Sequence, residues 1–92
     1  MPRLTATATR SAIAGRTSRR SLIFRNKSSA GGGLTVYWGF EDTITADETA
    51  ATCGIPLAAG EAVVLAGEDV NLHKPLYFVT ESGTSYIFYT EN

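Results

Sequence analysis

Residues 76–90 read Leu76-Tyr77-Phe78-Val79-Thr80-Glu81-Ser82-Gly83-Thr84-Ser85-Tyr86-Ile87-Phe88-Tyr89-Thr90. Two runs of aromatic and β-branched residues flank a polar turn containing glycine, and Pro75 stands just before the first run. Proline is tolerated at a strand's first position, and alternating apolar residues bounded by turn residues are the mark of strands. This stretch predicts strands at 76–80 and 85–90 joined by a hairpin loop at 81–84, and so an all-β chain.

Working outward, the same rhythm recurs. Leu22 and Phe24 alternate with Ile23 and Arg25, predicting a strand near 21–27, and Gly31-Gly32-Gly33 marks a turn. Leu34, Val36 and Trp38 share one face of a strand at 34–38. Residues 41–53 form an acidic loop with a short strand at 43–45. Pro56 confines Ile55 to extended geometry, predicting an extended piece at 54–57. Ala58–Glu61 turns into a strand at 62–66, and Gly67-Glu68-Asp69 turns again. No helical periodicity appears. The expected core is Leu22, Phe24, Leu34, Val36, Trp38, Ile55, Leu57, Val63, Leu65, Leu76, Phe78, Ile87 and Tyr89. The fold class is a small antiparallel β-sandwich or jelly-roll-like barrel.

Charge divides the chain. Residues 1–30 hold Arg3, Arg10, Arg16, Arg19, Arg20, Arg25 and Lys27 and no acid, while residues 31–92 hold all nine acids and a single cation, Lys74. Residues 1–20 are small and polar, with Leu4 and Ile13 as the large aliphatics after Met1. Such a segment buries too little to offset its ordering entropy. The expectation is an extended basic arm over 1–20 and a β-sandwich body over 21–92, the arm gaining order only on a partner. The segment 18–24 imitates a twin-arginine signal, but Arg25 interrupts its apolar run after three residues. No run of residues reaches membrane-spanning length.

The chemistry-bearing residues do not converge. His73 lacks a nucleophile to serve and reads as a surface residue. Cys53 and His73 are the chain's sole Cys and His, too few for a structural zinc site. Glu41, Asp42, Asp47 and Glu48 read as a solvated loop with no calcium-binding spacing. No catalytic residue, metal site or cofactor is expected.

The arginines are the candidate binding residues. Arg3, Arg10, Arg16, Arg19 and Arg20 lack the interleaved aromatics of single-strand binders, and the acidic body repels a polyanion, so nucleic acid is disfavoured. Arginines between small residues suit a carboxylate-bearing protein surface. Tyr37, Tyr77, Tyr86 and Tyr89 are candidates for an oligomer or partner interface.

Four segments also resemble a family of small β-domain proteins encoded in the structural gene clusters of tailed phages. They are Ile23-Phe24-Arg25-Asn26, Val36-Tyr37-Trp38-Gly39, Gly54-Ile55-Pro56-Leu57-Ala58-Ala59-Gly60-Glu61, and Leu76-Tyr77 through Gly83-Thr84 to Tyr86. The resemblance spans residues 22–90 and omits the arm. It implies a virion component at the capsid surface. The expected role is a capsid decoration (cement) protein that grips the major capsid protein through its arm and forms a homo-oligomer, a trimer for preference. Deleting residues 1–20 should then leave a folded body that no longer binds. A receptor- or carbohydrate-binding fibre module and a head–tail joining protein are the alternatives.

Overall fold

The structure is a computed structural model that describes residues 3–15, 21–27, 34–66 and 74–91. Arg16, Arg19, Arg20, His73 and the turns expected at 31–33 and 67–69 lie outside those residues.

Among the described residues there are eight strands: β1 (Arg3–Ala6), β2 (Ser11–Ile13), β3 (Ser21–Asn26), β4 (Val36–Gly39), β5 (Ile55–Leu57), β6 (Ala62–Ala66), β7 (Leu76–Thr80) and β8 (Ser85–Glu91). They form two four-stranded sheets, ordered β1-β8-β3-β6 and β2-β7-β4-β5, with every neighbouring pair antiparallel. The chain is an all-β sandwich. Of the consecutive strands only β4 and β5 share a sheet. Every other connection crosses from one sheet to the other, which is the wrapping of a jelly roll.

Alternation explains the strands. β3 buries Leu22, Phe24 and Asn26 and exposes Ile23 and Arg25. Between the sheets lie Leu22, Phe24, Val36, Trp38, Leu57, Leu76, Phe78 and Ile87. Phe24 is the pivot, meeting Trp38 edge-on at 5.1 Å and Phe78 at 5.4 Å between ring centroids. Both are favoured edge-to-face geometries. Val63, Leu65 and Tyr89 are partly buried against this core.

Four sequence expectations need correction. First, residues 3–13 are not a free arm. β1 pairs with β8 and β2 with β7, and Ala6 and Ile13 are buried in the core. Small side chains suffice there because β1 and β2 are edge strands that the sheets already flank. Second, the 81–84 turn is not a hairpin loop. β7 and β8 lie in different sheets, and the turn arches between them. Buried Thr80 and Ser85 bracket the arch, which is held by a hydrogen bond from Thr80 Oγ1 to the Gly83 carbonyl (2.9 Å). Gly83 has φ +82°, a backbone conformation that favours glycine.

Third, Leu34 and Ile55 are 36% and 54% exposed. Leu34 precedes its strand and rests at the end of the sandwich beside Gly83, while Ile55 opposes Trp38 from an edge strand. Fourth, the second sheet is buried on both faces. Residues 40–54 fold back over it, so Tyr37 and Val79 pack against Ile44 outside the main core. In place of the strand expected at 43–45, Thr45 makes a lone parallel bridge with Cys53.

Candidate interaction surface

The outer face of the first sheet is built by the same alternation. In β8, Ser85 and Ile87 are buried, so Tyr86, Phe88 and Thr90 point outward. Directly opposed residues share a face. The register therefore lays out one row of Arg3, Phe88, Arg25 and Ala62, and a second of Thr90, Ile23 and Val64. Ile23 is 45% and Val64 63% exposed. The Arg3 guanidinium stacks over the Tyr86 ring at 4.4 Å, and the Lys27 ammonium stands 5.7 Å from the same ring. Such cation–π contacts contribute about 0.5–1 kcal/mol at exposed sites. They also hold two long cations in fixed positions.

These rows carry no acid. Glu91 lies opposite Leu22 on the inward register, and the Glu61 carboxylate accepts the Ala58 N–H at 2.7 Å. Arg3 and Arg25 thus flank Phe88, Lys27 stands beyond them by Tyr86, and Ile23 and Val64 form an apolar row along their other side.

The opposite side of the sandwich is acidic. A cleft of about 530 Å³ opens between the turn after β1, residues 44–49 and the end of β7, and Asp47, Glu48 and Glu81 line it. Among the described residues Arg10 is its one lining cation, and its Nη1 donates to the Ile44 carbonyl at 3.0 Å. Asp47 closes a local turn, accepting from the Thr49 amide at 2.9 Å and the Thr49 hydroxyl at 2.6 Å. These two donations, the hydroxyl's first, hold its carboxyl below the usual carboxylate range. Burial raises the Tyr37 phenol above its ordinary value, and the Glu48 carboxylate adds to the rise. Burial likewise raises the Cys53 thiol, with Glu48 and Asp47 reinforcing it. A thiol so shifted stays protonated and is a poor nucleophile.

The candidate residues therefore divide. Arg3 and Tyr86 come together on the first sheet. Arg10 is engaged by the acidic loop on the far side. Tyr37 and Tyr77 pack beneath residues 40–54, and Tyr89 faces the core, so the four tyrosines form no single surface. Arg25, Lys27, Ile23, Phe88 and Val64 had not been singled out as binding residues. Their signal was the outward half of each alternating run, read together across four strands. Among the described residues no group of three or more His, Cys, Asp or Glu is placed to hold a metal ion, and no helix is long and apolar enough to cross a membrane. No protein family, curated protein or solved structure matches this chain.

Proposed function

We propose that this chain is a structural virion protein, a decoration protein that binds the assembled capsid surface and stabilises it. The observation that supports this most is the sorted surface of the sandwich. One face is an exposed apolar row of Ile23 and Val64 bordered by Arg3, Arg25 and Lys27, and the far side is a carboxylate-lined cleft. Large exposed apolar patches are rare on monomers and mark contact surfaces. A body with opposed charge on opposite sides suits repeated contacts with protein neighbours. The resemblance of four segments to phage virion β-domains points to a capsid lattice as the setting.

The mode of binding differs from a trailing arm. Residues 3–13 are strands of the body, so contact is made by surfaces of the sandwich and by an oligomer placed at a symmetry position. A trimer matches a three-fold site of the lattice. A protein that binds only the assembled shell stabilises it by mass action, and several copies act multivalently.

The test is to add purified protein to capsids that lack it and to image the particles. Expected are copies on the outer shell at symmetry-related positions and a higher temperature of particle disruption. Density confined to the tail or fibres would support the fibre or joining alternatives. No binding to shells would remove the proposal.

A further inference from the structure

We infer that the basic outer face of the first sheet docks on the acidic cleft of a second copy of this chain, in a head-to-tail contact. The inference rests on the oligomeric part of the reading above, and names the two surfaces that make the oligomer.

The face needs a cover. Ile23 and Val64 are 45% and 63% exposed in neighbouring positions, and Phe88 lies in the adjacent row. What covers it must tolerate Arg3, Arg25 and Lys27, two of which are held against Tyr86. A second copy docking by the same face would set these cations against each other, as a two-fold contact requires. Like-charge juxtaposition across an interface is costly.

The complement is present on the chain itself. Asp47, Glu48 and Glu81 line one open cleft, and Arg10, the cation among them, is drawn onto the Ile44 carbonyl. Three cations can thus meet three carboxylates while the apolar row lies over the small apolar lining residues Ala8 and Ala46. The two surfaces lie on opposite sides of the sandwich, so the contact is heterologous. Such contacts close into rings when the rotation permits.

The experiment is sedimentation velocity on the full chain, without capsids, at low and high salt. Expected is a discrete oligomer at low salt that weakens as salt rises, since screening acts on exposed charge. Arg25→Glu with Lys27→Glu should weaken association by more than about tenfold, and so should Glu48→Lys with Glu81→Lys. All four substitutions in one chain should restore the oligomer, with thermal melts showing each variant folded. Three results overturn the inference: a wild-type chain monomeric at every salt, an oligomer indifferent to the cleft substitutions, or a folded four-fold variant that stays monomeric. The second result would indicate a face-to-face dimer and the first a foreign acidic partner. Because capsids are absent, failure here is separate from failure of particle binding.

Discussion

Asn26 is completely buried at the end of β3, and both its side-chain donors and its oxygen are hydrogen-bonded. Its Nδ2 donates to the carbonyls of Leu34 (2.7 Å) and Leu57 (2.9 Å), and its Oδ1 accepts from the Ser85 hydroxyl (2.6 Å). Its backbone donates to Glu61 and accepts from Gly60. One side chain thereby joins β3, the entry to β4, the end of β5 and the start of β8. Asn26→Ala removes three hydrogen bonds, two of them buried, and each buried group left without its partner costs about 1–3 kcal/mol. A loss above about 3 kcal/mol is expected in a denaturant titration, a large share of a small domain's stability. Asn26→Asp sets an anionic oxygen against two carbonyls, which raises the carboxyl's folded-state pKa. A raised pKa contributes stability below the unfolded value that is lost as pH rises. This variant should therefore be the weaker of the two near neutrality and recover below about pH 4. The sequence marks Asn26 as a strand end. It does not show that its amide meets Ser85, 59 residues away.

At the scale of elements, residues 40–54 act as a cover clipped to the second sheet. Gly54 sits where an added Cβ would be 3.0 Å from both the nitrogen and the oxygen of Trp38. Those are strand backbone atoms and cannot retreat. Gly54→Ala should cost about 1–3 kcal/mol, read from the denaturant midpoint. The Asp47 turn gives the cover an acid sensitivity. A depressed carboxylate contributes stability above its unfolded pKa that is lost as pH falls through its folded value. The melting temperature should therefore drop below about pH 4, and Asp47→Asn, which keeps one acceptor oxygen, should flatten that decline. Strands at 62–66 and 76–80 lie where alternation places them. The cover was not legible, because an acidic loop whose one large aliphatic is Ile44 reads like any solvated connection. Nor was the arch at 81–84, since hairpins and arches use the same turn residues and differ in which sheet takes the next strand.

Across the whole molecule, the N-terminal segment supplies an edge to both sheets. Deleting residues 1–20 removes β1 and β2, strips Ala6 and Ile13 from the core and uncovers β8 and β7. The truncated chain should lose its cooperative melt and its dispersed amide resonances, the reverse of what an arm predicts. A truncated chain that melts as sharply as full length would sink this reading. The segment was misread because its contribution is made by backbone pairing and by small residues, which hydrophobic content does not register. The sorted charge was legible from the start. What the sequence hid is that β1 and β3 both border β8, which gathers Arg3, Arg25 and Lys27 onto one face.

That strand order also sets a timetable. β1 is made well before β8, its sheet neighbour among the described strands, so Arg3 waits for Phe88. β3 lacks one of its two neighbours until the same strand arrives. On the ribosome, neither β1 nor the central part of the first sheet can close before residues 85–91 have left the exit tunnel. Closing so distant a pair makes for slow folding. The apolar strands of the first sheet therefore stay open until β8 has been made, and that strand permits the sheet to close.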